Sequence, residues 1–292
     1  MYDIKYIIYC YILGDSFGLS KLNNYTNEKI SLEYNEVLNI EKGCFSSLST
    51  FMLATMDSIN INKDIIPVDI LNKMCTSLIV GKYTNKGRIY DLDKTTIDVL
   101  KYYKNKNNLN YDYDESDLSS YSISRLLPLT LYYNKYEENF SKLVQVIGLT
   151  TSNEEVILGN YILYKFILNL LKGKDKYKAL KIDIPNIFSN KSKNMYKDIL
   201  KGNIYFKEIK FDDNIINVIK IIFYIVLNSD NFNEVFMMVN SLEGNTNLYF
   251  SYVLFISGII YGKDEMVLKM IKDIKNKKEI NKYIKDFEKV IK

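Results

Sequence analysis

The segment that decides the fold is GNTNLYFSYVLFISGIIYG, which covers residues 244–262. It opens on the polar residues Asn245, Thr246 and Asn247 and continues as an uncharged apolar run from Leu248 to Tyr261. The run is shorter than the roughly 20 residues that span a bilayer, and it lacks the alternation of a half-buried strand. We therefore expect a helix buried inside a soluble domain, with three polar side chains at its amino end.

Helical periodicity continues on both sides of this segment, because apolar residues recur three or four positions apart along most of the chain. Only three prolines occur and clear strands of period two are absent, although 204–211 is a candidate hairpin arm. The side chains placed to cap helices are Ser49, Asp93, Asp117, Ser152 and Asp213. We predict one all-α domain, residues 1–292, with helices over 4–13, 49–59, 70–80, 95–103, 118–133, 137–147, 154–172, 215–227, 232–242, 248–261 and 264–289.

The composition excludes several classes of enzyme. The chain has no histidine, which removes catalytic triads with a histidine base and metal sites with histidine ligands. Its three cysteines, Cys10, Cys44 and Cys75, share no close spacing, so we expect no disulfide framework, no zinc knuckle and a reducing compartment. Any catalysis must therefore use carboxylates, Lys, Tyr, Cys, Ser or Thr.

The charge pattern argues against nucleic acid and membranes as partners. Residues 263–292 hold ten lysines against six acidic residues, which accounts for the whole net charge of +4, and the chain has only two arginines. A nucleic-acid surface is broader and richer in arginine, and membrane-surface binding needs a stronger positive excess. The start of the chain lacks a small-residue cleavage site, so we expect a cytoplasmic protein whose last helix docks on the core.

The polar segment 104–120 is a candidate functional loop, because loops longer than about 15 residues are usually functional or disordered. Its alternation of Asp112, Asp114 and Ser116 hints at a calcium loop, but an EF-hand needs glycine at Asp117 and glutamate at Ile123. We therefore interpret it as a solvated lid or linker, and 172–207 as a second loop-rich insertion.

Four short motifs occur in a fixed order along the predicted helices. They are GDSFG at residues 14–18, SSLS at residues 46–49, SSYSISRLLP at residues 119–128 and NTNL at residues 245–248. In their order and spacing these motifs resemble those of the ADP-ribosylglycohydrolase family, over about residues 4 to 270.

The resemblance implies an all-α fold, a compact orthogonal multi-helix bundle, built around a cleft. In the family, four aspartates and neighbouring threonine hydroxyls ligate two Mg²⁺ ions, which orient the ribose and a water that cleaves the glycosidic bond to ADP-ribose. Mg²⁺ favours such anionic oxygen ligands because it is a hard cation. A Thr-His pair of the family falls at Thr150 and Thr151 of this chain.

This chain departs from the family at the metal ligands. The four aspartate positions carry Ser47, Leu48, Asn245 and Asn247, and Leu248 replaces a threonine. At about 4 Å and an effective dielectric of about 20, each lost charge pair is worth up to about 4 kcal/mol. We therefore expect no metal cofactor, no catalytic residue of the family type and no Mg²⁺-dependent hydrolysis.

Other acidic residues could support hydrolysis in place of the family aspartates only if their side chains lie close together in the cleft. The candidates are Asp15, Asp57, Asp91, Asp93 and the acidic loop at residues 112–117. We interpret Asp15 as a helix-end cap and Asp91 and Asp93 as caps of the helix from Thr95, and no pair stands out as an acid–base system. Cys44 has no base beside it and is interpreted as a buried, inert thiol.

The substituted cleft still offers hydrogen-bonding groups to a nucleotide. Asparagine keeps the shape of aspartate and adds N–H donors, and helix amino ends near Ser49 and Leu248 favour anions. We therefore expect ADP-ribose or a related nucleotide to bind without metal, with Tyr121 either stacking on the adenine or plugging the cleft. The predicted binding residues are Asp15, Ser46, Ser47, Ser120, Tyr121, Ser122, Thr151, Asn245, Thr246 and Asn247.

Three functions stay open from the sequence: a metal-free nucleotide binder, a residual or altered hydrolase, and a scaffold for a protein partner that the sequence does not identify. An open cleft lined by Asn245, Asn247, Ser47 and Thr151 favours the binder. A new group of two or more acids in the cleft favours the hydrolase. A cleft filled by Tyr121, Leu48 and Leu248 favours the scaffold.

Overall fold

The computed structural model describes residues 2–22, 30–242 and 244–292. Within these ranges it contains fifteen α-helices and no β-strand, which confirms the all-α prediction, and no helix there is long and apolar enough to cross a membrane. Short 3₁₀ helices cover Tyr121–Arg125, Gly148–Thr150 and Phe206–Glu208. Helices α1 to α15 are, in chain order, Ile4–Lys21, Ser47–Asn62, Pro67–Val80, Lys94–Lys106, Leu126–Tyr133, Phe140–Ile147, Glu154–Leu171, Lys176–Ala179, Asn190–Met195, Lys197–Leu200, Ile215–Leu227, Phe232–Asn240, Thr246–Tyr261, Glu265–Ile271 and Lys277–Ile291.

Helices α1 and α13 form the centre of the molecule. Both are apolar on every side, as helices inside a core are, and residues 6–20 and 246–258 are buried. The two backbones are so close that side chains would clash at two glycines of α1. A Cβ atom on Gly14 would lie 2.3 Å from the Phe250 carbonyl oxygen, and one on Gly18 would lie 2.1 Å from the Asn247 backbone nitrogen. The glycines of the GDSFG motif therefore place Asp15 beside the amino end of α13.

Helix α2 brings a second amino end to the same place. It is buried from Ser47 to Asn60 and packs against α3, α15 and the 3₁₀ helix Tyr121–Arg125. The terminal helix α15 buries its apolar side, and the Asn60 side chain on α2 donates to the Tyr283 carbonyl (3.0 Å). This contact confirms that the last helix docks on the core.

Several boundaries differ from the sequence prediction. Segment 264–289 is two helices, α14 and α15, because Asn276 adopts a left-handed conformation (φ 57°) between them. Segment 118–133 enters α5 through a 3₁₀ turn, and the predicted hairpin arm 204–211 forms no strand. The insertion 172–207 contains the short helices α8, α9 and α10.

The capping residues also shift by one to three positions. Asp93 caps α4 as predicted, since its carboxylate accepts from the Thr96 N–H (2.9 Å). Asp117 caps no helix, and its carboxylate accepts from the Thr95 hydroxyl (2.5 Å) and the Ser119 N–H (2.8 Å). At α2, α7 and α11 the observed caps are Ser46 rather than Ser49, Asn153 rather than Ser152, and Asn214 rather than Asp213.

Candidate functional site

Asp15 is fully buried within α1 and faces the amino end of α2. Its Oδ2 atom accepts from the backbone N–H groups of Ser46 (3.1 Å) and Ser49 (3.0 Å) and from the Ser49 hydroxyl (2.6 Å). Burial raises the pKa of Asp15 to about 6, and these hydrogen bonds oppose the rise. Asp15 is a helix cap, as interpreted from the sequence, and the end that it caps is the amino end of the neighbouring helix α2.

The amino ends of α2 and α13 use their N–H groups internally. The Ser47 N–H donates to the Tyr90 carbonyl (2.8 Å) and the Leu48 N–H to the Ser46 hydroxyl oxygen (3.1 Å), while Ser46 and Ser49 donate to Asp15. At α13 the Leu248 N–H donates to the Asn245 carbonyl (3.0 Å). The expectation that an amino end presents N–H groups to an anion is therefore wrong for residues 46–49 of α2, and at α13 the N–H of Leu248 is engaged in the same way.

Asp91 also lies at the amino ends of α2 and α13, in the region where the resemblance predicts a cleft. The interpretation of Asp91 as a cap of the helix from Thr95 is wrong, because Asp93 alone caps that helix. The Oδ1 atom of Asp91 accepts from the Tyr121 hydroxyl (2.8 Å) and its Oδ2 atom from the Asn247 side-chain amide (2.6 Å). Its backbone carbonyl accepts from the Ser47 hydroxyl (2.5 Å), and burial raises the pKa of its carboxyl. No spacing in the sequence reveals the contact, because 156 residues separate Asp91 from Asn247.

Only one residue of the NTNL motif joins this network. The Asn247 side chain is fully buried, and its amide nitrogen also lies 3.4 Å from the Ser46 hydroxyl oxygen. Asn245 is half-buried and makes no capping bond, and the Thr246 hydroxyl donates to the Gly244 carbonyl (3.3 Å). Leu248 is fully buried.

In the motif of residues 119–128, the Tyr121 side chain lies in the cleft network and the Ser122 side chain lies outside it. Tyr121 is 6% exposed, and its hydroxyl group donates a hydrogen bond to Asp91 (2.8 Å). The Ser122 hydroxyl accepts from the Asn160 side chain (2.9 Å), and the Thr151 hydroxyl oxygen accepts from the Asn153 N–H (3.1 Å). Asp15, Ser46, Ser47, Tyr121 and Asn247 therefore meet in one network, whereas Ser122 and Thr151 have other partners.

Arg125 of the same motif has a structural role. It is buried, and its guanidinium donates to the carbonyls of Val146 (3.1 Å) and Ile147 (3.0 Å) and to the Thr150 hydroxyl (3.0 Å). These bonds fix the turn that leads into Thr151.

The remaining candidate acids lie outside the cleft network. Asp57 accepts from the Tyr83 hydroxyl (2.6 Å) and pairs with Lys82 (3.1 Å) and Lys73 (3.5 Å); burial raises its pKa, but these partners leave it below its usual value. The acidic loop lines a separate cavity of about 710 Å³. Cys44 is buried, and burial raises its pKa, which agrees with an inert thiol.

The residues of this cleft do not fit a pair of Mg²⁺ ions. Leu48 and Leu248 carry no ligand atom, Ser47 donates its hydroxyl hydrogen, and Asn247 directs N–H groups where a cation needs oxygen. Across residues 2–22, 30–242 and 244–292, no group of three or more acidic or cysteine side chains is arranged to hold a metal. The site holds hydrogen-bond donors around the carboxylates of Asp15 and Asp91.

Comparison with known proteins agrees with the fold. No protein-family model matches the chain, and no curated protein matches it. Among the solved structures that do match is one described as an "ADP-ribosylglycohydrolase-related protein complex". The two folds superpose with a TM-score of 0.79 at 13% sequence identity, and the match covers 99% of this chain and 98% of the other.

Proposed function

We propose that this chain, which has the fold of an ADP-ribosylglycohydrolase-related protein, is a catalytically inactive protein that works by binding a protein partner. The observation that carries the proposal is the closed cleft. Leu48, Leu248 and Asn247 are fully buried, and Tyr121 and Asn247 both donate to Asp91. A substrate entering the cleft would have to break this network.

The absence of turnover follows from the same contacts. Hydrolysis in the resembled family relies on a metal-activated water, and the donors and leucines of this cleft do not suit the metals. A replacement acid–base pair needs a carboxylate within reach of substrate. Asp15 is fully buried, and both oxygens of Asp91 already accept hydrogen bonds.

A concave apolar surface supports binding of a protein. A cavity of about 420 Å³ lies between α3, α4 and α6, and its lining contains no charged residue. Val68 and Leu109 line it and are 42% and 47% exposed. Pockets of this kind accept an apolar anchor side chain of a partner. The similar solved structure is itself described as a complex.

A second candidate function is binding of an ADP-ribose-type nucleotide without metal. It is favoured by three fully buried polar atoms that have no hydrogen-bond partner within the described ranges: Asp15 Oδ1, Ser120 Oγ and Asn247 Oδ1. Buried polar groups are nearly always satisfied, so the Asp15 and Asn247 atoms, which belong to the cleft network, are consistent with a polar ligand or bound water.

Calorimetric titration of ADP-ribose in EDTA, repeated with excess Mg²⁺, separates these functions. We expect no binding in either buffer and no release of ADP-ribose from ADP-ribosyl-arginine. Micromolar binding that ignores Mg²⁺ would establish the nucleotide binder, and Asn247→Ala should then abolish it while Ser152→Ala, at an exposed position, should not. Turnover that a chelator stops would contradict both functions.

A further inference from the structure

We propose that Tyr121 and Asn247 form a two-donor site for an anionic oxygen, and that Asp91 occupies this site as a built-in ligand that keeps the cleft closed. The inference deepens the proposed function by naming what closes the cleft and what chemistry would open it. The donors come from distant parts of the chain and converge on one carboxylate, at 2.8 Å from the Tyr121 hydroxyl and 2.6 Å from the Asn247 amide.

Asp91 is delivered by a tightly anchored segment, residues 81–92, which we call the strap. The Ser47 N–H donates to the Tyr90 carbonyl (2.8 Å), and the Asn85 side chain donates to the Phe45 carbonyl (3.0 Å). The Asn276 side chain donates to the Thr84 carbonyl (3.1 Å). Hydrogen bonds therefore attach both ends of the strap to the core, at the residues just before α2 and at Asn276, just before α15.

The backbone of the strap is strained where it enters the cleft. Tyr83, Lys86 and Asp91 adopt positive φ values of 67°, 55° and 49°, a region that non-glycine residues seldom occupy. Such strain persists where surrounding contacts over-determine the conformation, and it concentrates at binding sites and switches. Of these three residues, Asp91 is the one whose side chain meets Tyr121 and Asn247.

The electrostatics make Asp91 a displaceable occupant. Its carboxylate is held by two neutral donors, and the charge that acts on it from a neighbouring segment is that of Asp213, which is also negative. A buried carboxylate without a cationic partner is costly to desolvate. Asp91 nevertheless competes well with free anions because its tether gives it an effective concentration in about the millimolar range or above.

Removing the tethered carboxylate tests the site directly. Asp91→Gly leaves the donors in place, and glycine accepts the positive φ without strain, so the strap should keep its path. We expect the variant to gain binding of acetate, with the Tm rising by about 2 °C at an acetate concentration about ten times the Kd. Wild type should show no rise, and chloride at equal ionic strength is the reference salt.

Matched variants identify the donors and the ligand. Asp91→Asn keeps the side-chain volume in the site and should not respond to acetate. Asp91→Gly combined with Tyr121→Phe should lose the response, because one donor is gone. Inorganic phosphate in place of acetate distinguishes the two sources of anionic oxygen, and a response to either supports the site.

Two outcomes would overturn the inference. One is a folded Asp91→Gly variant that responds to neither anion, and the other is a wild-type response equal to that of the variant. If Asp91→Gly does not fold in chloride, we expect acetate to restore its cooperative unfolding transition, and a variant that stays unfolded in both salts would contradict the inference. The test uses no nucleotide, so its failure is distinct from failure of the proposed function, which ADP-ribose binding by the wild-type protein would contradict.

Discussion

Asp15 is a fully buried carboxyl group, and its burial makes the stability of the fold depend on pH. Burial raises the pKa of its carboxyl from 3.8 to about 6, so the folded chain holds a proton in a pH range where the unfolded chain has lost it. Stability should therefore fall as the pH rises from about 4 to about 6, by about 3 kcal/mol from this residue. Above about pH 6 both states are ionised and the contribution becomes constant.

Asp15→Asn tests this pH dependence. The amide oxygen of asparagine can accept the same N–H groups, so the variant should fold while losing the titration. Urea unfolding of both proteins across this range gives the measurement, and the difference between them isolates Asp15 from the other buried acids. Parallel stability profiles for the two proteins would show that Asp15 does not titrate near pH 6.

At the scale of elements, the contact between α1 and α13 depends on the absence of side chains at Gly14 and Gly18. A methyl group at Gly18 would lie 2.1 Å from the Asn247 nitrogen and would push α13 away from Asp15. We expect Gly18→Ala to lower the free energy of unfolding by about 3 kcal/mol or more, because overpacking against backbone cannot relax cheaply.

Gly148→Ala is the matched control for this helix contact. Gly148 has an ordinary φ of −73°, and a Cβ atom there would have no heavy atom within 4 Å. The free energy of unfolding of the Gly148→Ala variant should differ from that of wild type by less than about 1 kcal/mol. Denaturant midpoints of both variants decide the comparison, and equal midpoints would mean that α1 and α13 have room to separate.

At the scale of the molecule, the first and last helices belong to one core. Helix α1 packs on α13, and α15 packs on α2, so contacts join the two ends of the sequence. We expect residues 1–292 to unfold as a single domain in one cooperative transition. Far-ultraviolet circular dichroism and tyrosine fluorescence should give the same midpoint, and two separate midpoints would indicate two domains.

The sequence alone determined the fold class and most of the helices. The spacing of apolar residues is a local property of the sequence. It predicted the buried helix that begins near Leu248, and it predicted that the last helix packs on the core. The motif glycines and the residues Ser47, Leu48, Asn245 and Asn247 are also local features, so their departure from the resembled motifs is visible without a structure.

The tertiary structure alone decided how the cleft is filled. The contacts of Asp15 with Ser46 and of Asp91 with Asn247 join residues 31 and 156 positions apart, and no periodic pattern encodes such pairs. The caps at Ser46 and Asn153 depended on where the backbone enters each helix, which packing fixes. The sequence therefore determined which residue types stand at the motif positions, and folding determined that hydrogen-bond donors gather around Asp15 and Asp91.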